Sequence, residues 1–262
     1  MTNEADRLAL SRPGADAPLL LHGAGCTARV RPWPFQPHVA HLVLLRQARL
    51  PTPADLERWE TALRAVGYRA VRTGALGTAG GGGMERGGYQ IAQELVLLQH
   101  DDPRAVTPAT TVATPGPDPT GFTTHRLPVG DDDAASEVDC AAFGTGWQLD
   151  AAAIDDVRHA TPRHRARGLR LDGSARRLDG YAITGRDARQ GFLQRLAVHP
   201  DAQGCGAGRR LVADSLHWLA RWRVQRVLVN TPTDNERALA LYLDTGFHRL
   251  PERLRVYERS LA

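Results

Sequence analysis

Residues 191–208, GFLQRLAVHPDAQGCGAG, have the types and spacing that could bind an anion. A short apolar strand over 192–198 is predicted to end at Pro200, because proline cannot continue sheet pairing. A glycine-spaced run follows it, and an uninterrupted helical pattern extends over 209–223. A strand, a glycine-rich loop and a helix aim free backbone N–H groups at one point, where the helix dipole adds partial positive charge. The pattern therefore predicts a site for a phosphate or a pyrophosphate.

A second chemical pattern lies in residues 235–247, NERALALYLDTGF. Asn235 has the residue type of an N-cap for the short helix predicted over 236–244. Tyr242 lies within that helical pattern, beside Leu239 and Phe247. Taken alone, each residue is better explained structurally, Asn235 as a helix cap and Tyr242 as a core aromatic.

Composition places the chain among ordinary globular proteins. Its 262 residues are 42% hydrophobic and 24% charged, and the length is sufficient for one or two domains with a buried core. The formal net charge is +4 without a concentrated basic field, which argues against nucleic-acid binding. The 3 cysteines are far apart and form no CxxC pair, so neither a disulfide framework nor a metal site is expected. No apolar stretch approaches a membrane span, and the cytoplasm is the predicted location.

Shifts in composition divide the chain into four segments. Residues 1–37 are rich in Ala, Pro and Gly and are predicted to form an extended N-terminal arm. Residues 38–100 carry strand and helix patterns and are predicted to form a small α/β segment. Residues 101–121 contain several prolines and no periodic apolar pattern, which is typical of a linker. Residues 122–262 contain both chemical patterns and form the second predicted domain.

The α/β segment begins with a strand predicted over 40–47. Thr52 then has the residue type of an N-cap and precedes a proline at the first helical position. Two strands, 68–76 and 89–100, are predicted to flank the glycine-rich residues 77–88. No Gly-Lys-Ser/Thr sequence follows these glycines, so a hairpin tip is expected there rather than a phosphate-binding loop.

The second domain alternates strands and helices. The pattern predicts a strand, two helices and two strands, then the strand, loop and helix of 191–223, and finally a strand, a helix and a strand. The helix over 209–223 places its apolar residues along one stripe, so we expect it to pack on a sheet. The predicted fold class is α+β, with a mixed, twisted sheet flanked by helices and a smaller N-terminal α/β segment.

The two chemical patterns together resemble the signatures of one enzyme family. The run 203–208, QGCGAG, fits a Q/R-x-x-G-x-G/A loop that follows an apolar-Val-x-Pro strand end at 196–200. Residues 235–247 fit the signature N-x-x-A-x-x-L-Y-x-x-x-G-F. Both signatures, separated by one helix and one strand, are typical of the GNAT superfamily of acetyl-CoA-dependent N-acetyltransferases. The chain resembles that superfamily over about residues 122–262.

The resemblance implies a GNAT-like sheet and a set of site residues. A strand end splayed from its neighbour would pair with the pantetheine arm, and the glycine loop would hold the pyrophosphate where a Cβ would crowd it. Asn235 would contact the cofactor from the facing loop, and Tyr242 would be the catalytic acid that protonates the departing coenzyme A thiolate. Acetyl-CoA is the implied co-substrate, with no metal. The implied cofactor-binding residues are Leu196, Ala197, Val198, Gln203, Gly204, Cys205, Gly206, Ala207, Gly208, Arg209 and Asn235.

One position departs from well-known relatives with this signature, the acetyltransferases that act on the N-terminal alanine of a ribosomal protein. They carry a catalytic glutamate five residues before the asparagine, where this chain has Asn230. An amide cannot act as a general base, and the strand over 192–198 contains no carboxylate. The amine would then be deprotonated through water or by a residue such as Asp234 or Glu137, or it would arrive neutral.

Part of the N-terminal segment is weakly similar in sequence to the second domain. Residues 63–68 followed by two strands are similar to residues 241–247 and the strands after them. This similarity indicates a degenerate half-copy, as tandem members of the superfamily such as mycothiol synthases carry. The segment has no Q-x-x-G-x-G loop, so a second cofactor site is not expected.

The leading functional hypothesis is transfer of the acetyl group of acetyl-CoA to a primary amine by direct attack. The acceptor is either a small molecule or a protein N-terminus. The alternative is a non-catalytic acyl-CoA sensor or interaction module, which the missing carboxylates near the amine site keep open. The expected partners are acetyl-CoA and an amine acceptor, without a membrane, and the hypothesis leaves a homodimer open.

Overall fold

The structure is a computed structural model that describes residues 10–11, 18–45, 49–105 and 121–262. The chain divides into two compact units, Met1–Val96 with Pro251–Ala262 and Leu97–Leu250. Most of the predicted linker lies outside the described residues. The observed division differs from the predicted domain boundaries, because the end of the chain pairs with a strand of the N-terminal part.

Strands and helices alternate along the chain, as expected for an α+β protein. The strands are β1 (Leu10–Ser11), β2 (Leu19–Gly23), β3 (Cys26–Trp33), β4 (Gln36–Leu44), β5 (Ala70–Thr73), β6 (Gln90–His100), β7 (Phe122–Arg126), β8 (Arg163–Leu171), β9 (Gly180–Arg186), β10 (Gln190–Val198), β11 (Arg226–Pro232) and β12 (His248–Ser260). The helices are α1 (Pro53–Ala65), α2 (Thr78–Arg86), α3 (Asp132–Phe143), α4 (Ala151–Arg158), α5 (Ala207–Arg221) and α6 (Glu236–Asp244). In the described part of the chain, no helix is long and apolar enough to cross a membrane.

The first unit is a sheet in the order β1-β2-β3-β4-β5-β12-β6. Neighbours from β1 to β4 are antiparallel, β4 and β5 are parallel, and β12 is antiparallel to β5. Helices α1 and α2 bury apolar residues against this sheet in one core, which contains Trp59, Met84, Val71 and Tyr257. Leu56, Trp59 and Leu63, which recur at helical spacing in α1, enter the core, whereas Val66 at the next position of this pattern is exposed at the C-cap.

The predicted extended arm is wrong where residues 18–37 are described, because β2 and β3 form an antiparallel pair there. The pairing extends from Leu19 opposite Val30 to Gly23 opposite Cys26. Buried and half-buried residues alternate along β3, so one face of the strand enters the core. The high Ala, Pro and Gly content conceals this period of two in the sequence.

The glycine-rich residues expected to form a hairpin tip instead form helix α2. A Cβ on the buried Gly81 would lie 2.3 Å from the hydroxyl oxygen of Tyr257, so glycine permits a close approach of the helix to β12. Met84, at the end of this helix, is fully buried. Tertiary packing of this kind overrides the low helix propensity of glycine, which is about 1 kcal/mol per residue relative to alanine.

The second unit is a sheet in the order β6-β11-β10-β9-β8-β7. The strands β7 to β10 are antiparallel to their neighbours, and β10 and β11 are parallel. Adjacent residues of β9 show that helices cover both faces of this sheet. Gly180 faces Leu211 of α5, whereas Tyr181 packs in the core formed by α3 and α4.

The two units repeat one order of elements. In the first, β4 is antiparallel to β3, is followed by α1 and is parallel to β5. In the second, β10 is antiparallel to β9, is followed by α5 and is parallel to β11. This repetition agrees with the predicted half-copy but corrects its alignment. Helix α1 occupies the position of α5, whereas the similarity between 63–68 and 241–247 had aligned it with α6.

Candidate functional site

The site begins where strands β10 and β11 separate. Their parallel pairing ends at Phe192 opposite Leu228. On its other side, β10 stays paired with β9 as far as Val198 opposite Gly180. Among the described strands, none therefore pairs with the edge of β10 that faces β11 beyond Phe192. A strand edge of this kind can hydrogen-bond to an extended ligand.

A bulge in β10 changes which side chains face α3. The register of the β9–β10 pair shifts between Leu193 and Arg195, which leaves Gln194 as the extra residue. Gln194 donates to the Val157 carbonyl oxygen at 3.0 Å, at the end of α4. Arg195 follows and reaches Asp139 of α3 with two hydrogen bonds, at 2.6 and 2.8 Å.

The loop after β10 presents the N-terminus of α5. Gly206, the N-cap residue, has φ 90° and ψ −4°, which is the left-handed conformation that glycine adopts without steric cost. No side chain of the described residues caps this helix at Gly206. The first N–H groups of a helix have no partner within it, so they and the dipole are available to an anion.

A cavity of about 560 Å³ lies between the end of β10, the start of α5 and helix α6. Its walls are formed by Ala142, Phe143, Leu196, Ala197, Val198, Gln203, Gly204, Gly206, Gly208, Arg209, Asn235, Arg237, Ala238, Leu241 and Asp244. Residues of three distant stretches of the sequence therefore meet around one space. Two arginines and the uncapped helix N-terminus make one side of that space suitable for a phosphate-bearing ligand.

The cavity brings together most of the residues that the sequence predicts for cofactor binding. Leu196, Ala197, Val198, Gln203, Gly204, Gly206, Gly208, Arg209 and Asn235 line it. Cys205 and Ala207 do not, since the Cys205 side chain is exposed and Ala207 is buried at the start of α5.

Gln203 bridges the two sides of the cavity. Its Nε2 atom donates to the Val198 carbonyl oxygen at 2.9 Å, and its Oε1 atom accepts a hydrogen bond from Arg237. The side chain thus links the end of β10 to the first turn of α6. The Val198 carbonyl oxygen, which we expected to pair with pantetheine, already accepts a hydrogen bond from this side chain.

Asn235 is the N-cap of α6, which is the structural role that the sequence allowed. Its Oδ1 atom accepts a hydrogen bond from the Ala238 N–H at 3.1 Å. Its side-chain nitrogen forms no hydrogen bond with the described residues, and the residue lines the cavity. Capping therefore uses the amide oxygen and leaves the amide nitrogen for a ligand.

Tyr242 is buried and does not line the cavity. The residue is 5% exposed, its ring centroid lies 5.7 Å from that of Phe247, and its hydroxyl forms no hydrogen bond with the described residues. Burial raises the pKa of Tyr242 to about 12, while the positive charge of Arg195 acts in the opposite direction. The phenol is therefore protonated at neutral pH, as a proton donor requires.

Neither of the carboxylates that the sequence offers as a general base, Glu137 and Asp234, lines the cavity. Glu137 and Asp234 are exposed and do not line the cavity, and Asn230 is exposed on β11. Asp244 lines the cavity but forms an ion pair with Arg209, with 3.3 Å between Oδ2 and Nη2. Among the described residues, no group of histidine, cysteine and acidic side chains could hold a metal ion.

Several residues that line the cavity were not predicted from the sequence. Arg237 and Leu241 stand inside the second signature, at positions where the helical pattern assigns no contact with a ligand. Phe143 comes from α3, far away in the sequence, and no local pattern places it near β10. The guanidinium of Arg195 lies 3.6 Å from the centroid of the Phe143 ring, which connects the bulged strand to this wall.

Comparison with known proteins agrees with the site. Residues 141–247 match the model of the Acetyltransferase (GNAT) family. The chain is 32% identical over 123 residues to the mycothiol acetyltransferase of Actinosynnema mirum, which covers 45% of this chain and 41% of that protein. It is 38% identical over 105 residues to the N-alpha-acetyltransferase RimI of Mycobacterium tuberculosis, which covers 38% and 63% respectively. The match spans less than two thirds of the length of either relative.

Solved structures share the fold over nearly the whole chain. A tandem GNAT protein from the clavulanic acid biosynthesis pathway has a TM-score of 0.65 at 15% identity, covering 96% of this chain and 85% of that one. A GCN5-related N-acetyltransferase from Kribbella flavida has a TM-score of 0.59 at 13% identity, covering 99% and 97%. At such identities the likeness concerns the fold alone. Residues 141–247, which include every residue that lines the cavity, thus match the GNAT family model, and the chain has a fold similar to that of a tandem GNAT protein.

Proposed function

We propose that this protein is an N-acetyltransferase with acetyl-CoA as its co-substrate and a primary amine as its acceptor. The observation that carries the proposal is the separation of β10 from β11 beside the uncapped N-terminus of α5. One end of the cavity offers N–H groups and positive charge, and the other offers the free edge of a strand. This arrangement fits a ligand with a pyrophosphate at one end and an extended, amide-containing arm.

The residues of the cavity fit acetyl-CoA. A Cβ on Gly208 would lie 2.9 Å from a methyl group of Leu241, so this glycine keeps α5 and α6 close on the pyrophosphate side. Arg209 and Arg237 would add charge-assisted hydrogen bonds to the phosphates. Leu196 and Ala197 would hold the pantetheine arm along β10, and the amide nitrogen of Asn235 would contact it from α6.

The chemistry follows from what the chain can do at the acetyl end. Bound acetyl-CoA supplies a thioester whose carbonyl carbon is the electrophile. The acceptor nitrogen bonds to that carbon and the C–S bond breaks. The electron pair of the C–S bond passes to sulfur. Tyr242 would donate its hydroxyl proton to that sulfur and recover one from solvent, while the acceptor nitrogen loses one proton. No covalent bond to the protein is needed.

The acceptor is proposed to react as a neutral amine. Neither Glu137 nor Asp234 lines the cavity, and Asn230 cannot accept the proton. Solvent would then remove the proton from the ammonium group before the attack. This step makes the rate depend on the pKa of the acceptor itself.

The first unit is proposed not to bind acetyl-CoA. Its strands β4 and β5 remain paired from Val39 opposite Ala70 to Leu42 opposite Thr73, so no edge opens between them. The N-terminus of α1 is closed by its own residues. The Asp55 carboxylate accepts the Thr52 N–H at 2.9 Å, in a capping box. A buried carboxylate there would repel a phosphate.

Binding and turnover measured separately test the proposal. Acetyl-CoA binding would be measured by calorimetry, and thiol release would be followed with small primary amines and with N-terminal peptides. The two arms of this panel correspond to the two kinds of acetyltransferase among the relatives. Saturable binding and thiol release with one class of acceptor support the proposal. Binding without thiol release for every acceptor would favour the second candidate, an acyl-CoA sensor. This candidate is kept because the described residues at the amine side include no carboxylate.

A further inference from the structure

Arg195 lies beside the part of the cavity wall formed by Phe143 and Leu196. Its guanidinium stacks on the ring of Phe143 and is one residue before Leu196 in β10. The Nε and Nη2 atoms bond to Asp139, and Nη2 also donates to the Trp147 carbonyl oxygen at 2.9 Å. Hydrogen bonds through two of its nitrogen atoms therefore hold the guanidinium in place beside the cavity wall.

Asp139 fixes this guanidinium in one orientation. The carboxylate is fully buried and also accepts hydrogen bonds from the Tyr181 hydroxyl at 2.5 Å and from the Leu149 N–H at 2.6 Å. These donors, from β9 and from the residues before α4, fix the position of the carboxylate that orients Arg195. The positive member of the pair is thus the one that contacts the cavity wall, at Phe143.

We propose that Arg195, oriented by Asp139, provides a fixed positive charge at the acetyl end of the cavity that stabilises the negative charge developing on sulfur as coenzyme A leaves. The inference rests on the proposed function, because it requires acetyl-CoA in this cavity. Arg195 does not line the cavity and acts through its field, so it is a positioning residue rather than a catalytic one.

The fixed orientation of Arg195 favours an electrostatic role over a purely structural one. A charge already oriented within the protein interior stabilises developing charge without reorganisation. The field of Arg195 reaches the proposed proton donor, since it opposes the effect of burial on the pKa of Tyr242. A buried ion pair by itself is weak evidence for stability, because well-packed apolar residues often replace one without loss.

The ionisation of bound coenzyme A tests this inference without turnover. The thiol pKa of coenzyme A bound to the full chain would be measured from thiolate absorbance as a function of pH. The double variant Arg195→Met/Asp139→Asn removes both charges and keeps similar shapes. In that variant we expect the bound thiol pKa to rise by about one unit, which corresponds to about tenfold less thiolate at a given pH.

A second buried ion pair provides the control. Arg158 of α4 and Asp132 of α3 are 2% and 5% exposed, are linked by hydrogen bonds and do not line the cavity. The variant Arg158→Met/Asp132→Asn is expected to leave the bound thiol pKa unchanged. Arg195→Lys, which keeps the charge, is expected to restore most of the difference.

The outcomes separate the inference from the function on which it rests. An equal thiol pKa in the wild type and in Arg195→Met/Asp139→Asn would overturn the inference and leave the acetyltransferase proposal intact. Failure of the wild type to bind coenzyme A would overturn the proposed function instead. If the double variant does not fold, a comparison of Arg195→Lys with Arg195→Gln at the same position decides the question.

Discussion

Phe192 and Leu228 are the last paired residues of β10 and β11, and the two strands separate immediately after them. The corresponding strands of the first unit, β4 and β5, remain paired to Leu42 opposite Thr73, and the Gly74 N–H continues to the Leu42 carbonyl oxygen at 3.0 Å. The same order of elements thus gives an open pair of strands in one unit and a closed pair in the other. Among the described strands, this difference leaves an unpaired edge between the parallel strands of the second unit and none between those of the first.

The glycine at the N-terminus of α5 provides a direct test of the anion site. Gly206→Val places a branched side chain at φ 90°, which costs about 1–2 kcal/mol of stability, and crowds the approach of the pyrophosphate. We expect acetyl-CoA affinity to fall at least about tenfold, a difference of about 1.4 kcal/mol by calorimetry. Gly173→Val is the matched control, because Gly173 has φ 80° with open space around its Cβ position and does not line the cavity. Equal affinity losses in both variants would show that strain, not the ligand contact, is responsible.

Asn235 allows capping to be separated from ligand binding. Asn235→Asp keeps the oxygen that caps α6, so we expect little change in thermal stability, but it replaces the amide nitrogen with negative charge facing a phosphate-bearing ligand. Asn235→Ala removes the cap and is expected to lower stability by about 1 kcal/mol. Thermal denaturation and acetyl-CoA titration of both variants check this. Unchanged affinity in Asn235→Asp would restrict Asn235 to its capping role.

Removing the hydroxyl of Tyr242 tests the proton donor. Because this hydroxyl forms no hydrogen bond with the described residues, Tyr242→Phe should leave the fold and the acetyl-CoA affinity nearly unchanged. We expect kcat to fall by about 10²–10⁴-fold, the usual contribution of a positioned general acid. Tyr89→Phe, at a buried tyrosine of the first unit, is the control. Wild-type kcat in Tyr242→Phe would remove the acid role.

The pH profile of the reaction follows from the high pKa of Tyr242. Because the pKa of Tyr242 is raised to about 12, its phenol stays protonated across the usual assay range. Ionisation of this phenol therefore causes no loss of activity at alkaline pH below about 12. Activity should therefore rise with pH as the acceptor amine loses its proton, and its midpoint should move when an acceptor of different pKa is used. A midpoint independent of the acceptor would instead indicate a base within the protein.

The buried His41 should make the folded first unit less stable at acidic pH. Burial, with Arg29 and Arg72 nearby, lowers the pKa of His41 from 6.5 to about 4, and the ring packs edge-on against Trp33. Between these pH values the unfolded chain binds one more proton than the folded chain. This contribution to stability is therefore complete above pH 6.5 and is lost as the pH falls toward 4, by up to about 3 kcal/mol.

Denaturant unfolding at pH 7 and pH 4.5 measures this effect. In His41→Gln the difference between the two pH values should shrink, because the titrating group is absent. His38→Gln, at an exposed histidine of the same strand, is the control and should retain the wild-type difference. An undiminished difference in His41→Gln would assign the acid lability to other groups.

The sequence alone determined the parts of this protein whose geometry is set by neighbouring residues. The glycine loop at 203–208, helix α5 and the Asn235 cap follow from local backbone requirements, so their spacing was sufficient to predict the elements and the family. The cavity itself could not be predicted from neighbouring residues, because its lining comes from distant stretches of the sequence. Only the tertiary structure brought Phe143 and Arg237 to the cavity and oriented Arg195 through Asp139, because these contacts join stretches that no sequence period connects.

The same distinction explains the errors in the first unit. The glycines of α2 indicate a turn by propensity, and the helix forms because packing against Tyr257 of β12 outweighs that preference. The alternation in β3 was concealed by composition, and the assignment of residues 251–262 to the first unit depends on pairing with β5. Local patterns specify elements, whereas their partners depend on which surfaces they bury together, and that information is distributed over the whole chain.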